Sequence, residues 1–454
     1  MTQRKDAGCT GKESRLTSLA GKTVTVIGLG RFGGGVGVTQ WLCAQGARVI
    51  VSDKAPAADL TESIAALAGL EVTLHLGGHL DSDFLQTDLL IVNPAIPRDF
   101  PLLQAAIAAG VPRTTEINLF MERCRAPIVG ITGSVGKSTT TAMIGAILER
   151  KFTTHVGGNI GRSLLEALGR IEPDHVVVLE LSSFQLEDLP LVGLSPHVAL
   201  VTNLTENHLD RHGTMAAYGD AKKNIFRFQK PDDVLLLNAG DAVVSAWACE
   251  ARGKVELFNT GGGERFELFV PGEHNQVNAQ AAWSAAKQLG VDRATAAAAL
   301  AGFKGLPHRL QFVTERRGVR YFNDSKCTTP GGTIVALEAF PPRSAVVIVG
   351  GYDKHVSFEA MGQALADRAK AVVAIGATAD QIVSAVEKAL AAGRQSNAPA
   401  VVRAGDFESA VRAAAAAAAP GDAVLLSPAC ASYDMFKNYE QRGDLFVQRV
   451  NKLD

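Results

Sequence analysis

Short apolar runs alternate with longer stretches of helical periodicity along nearly the whole chain. Runs such as Thr23–Ile27, Val72–Leu76, Leu89–Val92, Ala345–Val349, Ala371–Ala374 and Ala423–Leu426 are too short for helices and are bounded by turn residues, so they read as buried strands. Strand, turn and helix in steady rotation predict parallel α/β layers, and not a sandwich or a bundle. Three such modules follow one another. The first also includes a strand at 49–51 and fades near Pro112. The second takes in 127–132, 176–179 and 198–202, then a polar insertion ahead of an Asn-rich helix near Asn275. The third starts near Pro307 and adds a strand at 321–323. The Ala-rich stretch 413–419 reads as one strongly helical segment with no chemical content. No fixed-period repeat is present, which excludes a solenoid. The expected fold class is therefore α/β with three domains over 22–114, 115–305 and 306–454, preceded by a disordered tail over 1–21.

Composition narrows the partners. Across 454 residues, 45 Lys and Arg stand against 46 Asp and Glu, a net charge of −1, which argues against a protein that tracks a nucleic-acid backbone. The six cysteines form no CxxC pair, so neither a zinc ribbon nor a disulfide framework is indicated, and a reducing cytoplasm fits. No apolar run approaches the length of a membrane span, and the first residues lack the apolar core of a signal peptide. A cytoplasmic monomer acting on small molecules, without nucleic acid or membrane insertion, is the expectation.

Two glycine-rich turns carry the chemistry. Gly28-Leu29-Gly30-Arg31-Phe32-Gly33 follows the first strand as a GxGxxG turn, and Asp53 closes a strand twenty residues beyond Gly33. That is a dinucleotide fingerprint: glycines admit a diphosphate to the next helix N-terminus, and the carboxylate accepts from a ribose or a base. On its own it favours a nicotinamide dehydrogenase. The second turn, Thr132-Gly133-Ser134-Val135-Gly136-Lys137-Ser138-Thr139, lies between an apolar strand and an amphipathic helix. It is a variant P-loop, since the strict pattern requires glycine where Ile131 stands and the glycine is at Gly130. Its backbone N–H groups would cradle phosphates, with Lys137 as a mobile cation and the Ser138 hydroxyl on Mg2+. A second metal ligand is expected at the end of a neighbouring strand, where HVVVLE supplies Glu180. His208, in NLTENHLD, is either a metal ligand or an ordinary loop histidine, and spacing alone favours the latter.

The ordered segments TGSVGKST, LELSSFQLE, NLTENHLDRH, PGEHNQVNAQAA, LPHR, NDSKCTT and SPACASYDMFKNYEQRG together closely resemble the Mur ligase family. The likeness extends from about residue 22 onward, and the last segment is most similar to the members that add D-glutamate. It implies an N-terminal Rossmann-like domain for a UDP-sugar and not NAD, a central P-loop ATPase domain with a mostly parallel sheet, and a C-terminal Rossmann-like domain for an amino acid. The implied reaction is ATP-dependent amide formation in peptidoglycan precursor synthesis. A carboxylate of UDP-N-acetylmuramoyl-L-alanine takes the γ-phosphoryl group, and the amine of D-glutamate attacks the acyl phosphate. Two unit charges 4 Å apart repel by about 4 kcal/mol at an effective dielectric of 20, so cations must converge on this encounter.

By the same resemblance, Lys137, Glu180, His208 and Lys222 are catalytic, and Ser138, Glu180, His208 and Lys222 hold two Mg2+ ions, with Lys222 carbamylated by CO2. Nucleotide contacts fall on Gly133, Ser134, Val135, Gly136, Lys137, Ser138 and Thr139, on Asn275 and Asn278, and on Arg309 and Asp324. Substrate contacts fall on Gly30, Arg31, Phe32, Asp53, Lys54, Asn159 and Gln185, and on His308, Lys326, Thr328, Lys354, Ser432, Tyr433 and Tyr439. Val135, Cys327, Tyr433 and Tyr439 depart from the family's usual residues, and the tyrosines bear on the amino-acid pocket. The competing readings are a sister or folylpolyglutamate-type ligase with another amino acid, an NAD-dependent oxidoreductase fused to a P-loop domain, and a noncatalytic nucleotide-gated binding protein.

Overall fold

The computed structural model describes residues 18–30, 34–160, 163–262, 264–392 and 398–453. Of the expected tail, residues 1–17 lie outside the described residues. Residues 18–21 pack onto the first domain: Leu19 is buried and the Gly21 N–H donates to the Gly46 carbonyl at 2.8 Å.

The described residues form three sheets. The first contains β1 (Thr23–Ile27), β2 (Arg48–Asp53), β3 (Val72–Leu76), β4 (Leu89–Val92) and β5 (Arg113–Thr114), all parallel, in the order β3-β2-β1-β4-β5. The second contains β6 (Ile128–Thr132), β7 (Thr154–Gly158), β8 (Val176–Glu180), β9 (Val198–Val201), β10 (Val234–Asn238) and β11 (Lys254–Phe258). Its order is β11-β10-β9-β6-β8-β7, again all parallel. The third contains β12 (Gln311–Arg316), β13 (Val319–Asn323), β14 (Ala345–Val349), β15 (Ala371–Ala374), β16 (Ala400–Arg403) and β17 (Ala423–Leu426). It runs β12-β13-β17-β14-β15-β16, and β12 alone pairs antiparallel. Three α/β domains are thus present. The supposed polar insertion of the second module is not one, because β10 and β11 extend its sheet.

The chain divides into two compact units, Met1–Gly262 with Ser284–Val291, and Gly263–Trp283 with Asp292–Asp454. In the first unit, the first two sheets share one continuous apolar cluster, which includes Val26, Ile91, Ile117, Phe120, Leu165, Leu181, Leu189 and Leu237. In the second unit, the third sheet is apolar on both faces. Val347, Val349 and Leu425 enter one cluster, while Val346, Ile348, Val424 and Leu426 enter another. Because strand side chains alternate faces, helices on both sides require continuous apolar runs, which is why these strands are plain in the sequence. The Ala-rich helix is Phe407–Ala417, started by the Asp406 carboxylate, which accepts from the Ser409 N–H at 2.7 Å. Among the described residues no helix is long and apolar enough to cross a membrane.

Candidate active site

The P-loop leaves β6 at Thr132 and enters the Lys137–Leu148 helix through Gly136, whose φ of 86° is the left-handed conformation that glycine adopts without strain. Gly133 has φ 146°, and a Cβ there would overlap Thr202 Oγ1 at the end of the neighbouring β9. That close approach allows the segment after β9 to bracket the loop. Thr202 Oγ1 donates to the Val135 carbonyl at 2.7 Å. The Asn203 amide accepts from the Val135 N–H and donates to the Val135 carbonyl, both at 2.9 Å. The Ser134 hydroxyl donates to the Thr205 carbonyl at 2.9 Å and also meets the Tyr218 hydroxyl at 3.2 Å. Ser134 and Val135, expected to touch nucleotide, are therefore set by Thr202, Asn203 and Tyr218, which the sequence reading passed over.

Three charged groups gather at this loop. Lys137 Nζ donates to the carbonyls of Gly133 and Ser134, both at 3.0 Å. Lys222, 1% exposed, donates to the same Gly133 carbonyl at 2.8 Å and lies 4.4 Å from the Tyr218 ring centroid. Burial, reinforced by the like charge of Lys137 and opposed by Glu180, lowers the Lys222 amine to about 6. Glu180, 2% exposed at the end of β8, accepts from the Asn159 side-chain amide at 2.9 Å through Oε1, while its buried Oε2 has no hydrogen-bond partner. A carboxylate oxygen out of water and without a donor is costly unless a cation answers it. Oxygen donors of this kind suit Mg2+, so Glu180 fits the expected metal. His208 is exposed, in left-handed backbone at φ 54°, with its ring 5.0 Å from that of Phe184 and 6.3 Å from that of Tyr218. No group of three or more His, Cys, Asp or Glu side chains is arranged for a metal among the described residues. Ser138 and Thr139 open the P-loop helix and are half-buried.

The first unit also holds a cavity of about 460 Å3, walled from both of its sheets. Gly30, Asn159 and Gln185, all expected substrate contacts, line it, together with Asn93, Pro94, Glu116 and Phe184, which sequence reasoning missed. Gln185 sits in a capping box, its side-chain oxygen accepting from the Ser182 N–H at 3.0 Å. Asp53 turns inward: one carboxylate oxygen accepts from Leu29 N–H at 2.8 Å and Gly30 N–H at 3.2 Å, and the other from Ala55 N–H at 2.8 Å. Its visible work is to shape the glycine turn. Lys54 is exposed and does not line the cavity. Arg31 and Phe32 lie outside the described residues.

This arrangement is matched by known sequences. Residues 22–114 match the profile of the Mur ligase MurD-like N-terminal domain, 131–265 that of the Mur ligase middle domain, and 308–430 that of the Mur ligase glutamate ligase domain. The UDP-N-acetylmuramoylalanine--D-glutamate ligase of Symbiobacterium thermophilum is 41% identical over 92% of this chain and 97% of its own length. The proteins of that name from Roseiflexus sp. and Pelotomaculum thermopropionicum are 41% and 39% identical over 96% and 95% of this chain, and 99% and 98% of their own. The chain belongs to the Mur ligase family. Solved structures agree on the fold. The UDP-N-acetylmuramate-alanine ligase of Thermotoga maritima superposes with a TM-score of 0.58 at 20% identity, covering 95% of this chain and 99% of that one. The UDP-N-acetylmuramoylalanyl-D-glutamyl-2,6-diaminopimelate--D-alanyl-D-alanyl ligase of Acinetobacter baumannii gives 0.56 at 18%, covering 96% and 91%.

In the second unit of this Mur ligase, Asn275 and Asn278 lie on the Glu273–Gln288 helix, and the other expected residues lie in segments that flank strands of the third sheet. Asn278 donates to Asn275 Oδ1 at 3.2 Å, and Asn275 donates to the Pro271 carbonyl at 2.7 Å, so both amides share one helix face. Asp324 is buried, accepting from Leu310 N–H at 3.0 Å and the Ser427 hydroxyl at 2.8 Å, and burial pushes its carboxyl up to about 6. His308, at φ 60°, meets the Asn323 amide at 3.1 Å, and its ring stands roughly perpendicular to that of Tyr439 with centroids 5.9 Å apart. Lys326 Nζ lies 5.5 Å from the Tyr439 ring centroid. Arg309 and Lys354 are exposed, Thr328 is half-buried and Ser432 is buried. Tyr433, 68% exposed, stands edge-on to Tyr352 with ring centroids 6.1 Å apart. Arg442, another residue that sequence reasoning missed as structure, is fully buried and donates to Ser325 and to the carbonyls of Cys430 and Ala431.

Two outcomes follow from this geometry. Gly133→Ala should cost about 1–3 kcal/mol by forcing a Cβ against Thr202, and should abolish nucleotide binding; thermal unfolding and ATP titration measure both. Because the Lys222 amine is neutral only above about 6, any chemistry that uses it as a nucleophile should fade as pH falls through that value. The matching stability sign is opposite to that of a paired lysine. Between about 6 and 10.5 the unfolded chain holds a proton there that the folded chain lacks, so this residue's contribution to stability rises with pH, and denaturation of Lys222→Met should lose that slope.

Proposed function

We propose that this Mur ligase joins D-glutamate to UDP-N-acetylmuramoyl-L-alanine at the expense of ATP, through an acyl phosphate. The observation that carries the reading is that Lys137 and Lys222 meet on the Gly133 carbonyl of the P-loop, with the half-satisfied Glu180 near enough for its charge to act on Lys222. Such a site suits an anion brought against another anion. The relatives of that name, alike over nearly their whole length, supply the substrate pair.

On this reading, Lys137 exchanges its carbonyl contacts for phosphate oxygens, and the N–H groups of the loop that Asn203 does not already engage donate to the rest of the phosphate chain. Ser138, Glu180 and His208 would hold Mg2+, with Lys222 as a carbamate completing a second site. Bound there, Mg2+ would supply charge neutralisation at the phosphoryl oxygens. The lowered Lys222 amine is what carbamate formation needs, since the neutral amine attacks CO2 and loses a proton to give an anionic oxygen donor. The UDP-sugar occupies the 460 Å3 cavity at Gly30, Asn159 and Gln185, and Arg31, Phe32, Asp53 and Lys54 are assigned to the same substrate. Asn275, Asn278, Arg309 and Asp324 serve the nucleoside. His308, Lys326, Thr328, Lys354, Ser432, Tyr433 and Tyr439 serve the amino acid. Domain limits at 114/115 and 305/306, a monomer, and a cytoplasmic location complete the proposal.

The decisive assay incubates the protein with ATP, Mg2+ and UDP-N-acetylmuramoyl-L-alanine and follows ADP release across D- and L-amino acids. D-Glutamate should stimulate release most. Stimulation by a different amino acid alone would transfer the reading to a sister ligase, with exposed Tyr433 the first residue to question. Lys137→Ala should lower turnover by about 100-fold or more, and retained turnover would refute its role.

A further inference from the structure

One polar network in the first unit lies outside every residue expected from the sequence. Glu187, half-buried after the Ser183–Leu186 helix, accepts from Arg98 Nε at 3.3 Å and Arg211 Nη2 at 3.2 Å through Oε2, and its Oε1 lies 3.2 Å from His212 Nδ1. The next residue, Asp188, is 4% exposed and pairs with the same Arg98 guanidinium. Burial pushes the Asp188 carboxyl up, and the Arg98 guanidinium beside it opposes that rise. His212 Nε2 reaches the Ser183 hydroxyl at 2.9 Å. Serine, histidine and glutamate thus stand in the order of a hydrolytic triad. Ser183 is only 3% exposed and does not line the cavity, which leaves its hydroxyl as an anchor for the ring and not a nucleophile.

The placement of these groups gives the network its meaning. Arg98 lies in the loop that contributes Asn93, Pro94 and Ala95 to the cavity, whereas Glu187 follows the segment that contributes Ser182, Phe184 and Gln185. Arg211 touches both walls: its Nη2 donates to the Pro94 carbonyl at 3.4 Å, and its guanidinium lies 5.0 Å from the Phe184 ring centroid. His212 packs against the same ring at 5.5 Å. The geometry points to Glu187 as a positioning residue for the UDP-sugar, the hub through which Arg98 and Arg211 fix the separation of the two cavity walls. It does not touch substrate; it sets the width of the space that receives it. Arg98 shares this role through Asp188. The inference rests on the reading of the cavity as the UDP-sugar site.

The test uses the full chain and the substitutions Glu187→Gln, which keeps an acceptor but loses the charge, and Arg98→Met. Calorimetric titration with UDP-N-acetylmuramoyl-L-alanine reads binding without turnover, and steady-state kinetics give KM for each substrate. Both variants should weaken UDP-sugar binding and raise its KM by about 10- to 100-fold, with KM for ATP and for the amino acid within about twofold of the parent. Glu187→Gln with unchanged UDP-sugar binding overturns the inference. So does an equal rise in all three KM values alongside a lowered Tm, which is the mark of a general structural role. If the parent binds the UDP-sugar but no amino acid stimulates ADP release, the proposed function fails while the positioning role is still decided by titration. If the parent does not bind the UDP-sugar, both fall.

Discussion

A single carbonyl oxygen, that of Gly133, accepts from two lysines, and most of the central site follows from that crowding. Two ammonium groups cannot share one acceptor in a desolvated pocket without penalty, and burial lowers the Lys222 amine accordingly. The arrangement lacks negative charge. Glu180 supplies part of it from β8, but one of its oxygens has no partner. The loop is thus built for an anion of high charge density. Its shape depends on Gly133 passing close to Thr202, on Gly136 adopting left-handed backbone, and on Asn203 gripping Val135 from both sides.

Central strands were legible because both of their faces are apolar. β1, β4, β14, β15 and β17 have the limits that the apolar runs predict, and so does β3, an edge strand that is apolar at alternate positions. The other strands at sheet edges were not legible. β7 carries His155 and two glycines, β11 alternates charged and apolar residues, β16 is largely exposed, and β5 has only two residues. Such strands draw their stability from pairing with a neighbour, which no local pattern records. β10 is different: it is strongly apolar and was lost inside a region judged polar as a whole.

The site divides along similar lines. Lys137 and Glu180 stand out as candidates because a P-loop has a spacing and its expected metal partner a strand end. Lys222 and His208 came only through likeness to a family, since a helix lysine and a loop histidine carry no local mark. What places Lys222 is Tyr218, one helical turn earlier, whose ring it covers. Asn203, Thr202 and Glu187 act across sequence separations that no motif spans. Asp53 shows the reverse case. Its spacing from the glycine turn was correct for a ribose contact, yet its carboxylate is engaged with the backbone N–H groups of the turn itself.

The common apolar cluster beneath the first two sheets has a bearing on how the molecule comes apart. Side chains from both sheets lose their packing together, so neither layer can melt and leave the other intact. Calorimetry should therefore register the cradle and the neighbouring cavity as one cooperative endotherm, and a ligand held by either would protect both from denaturation.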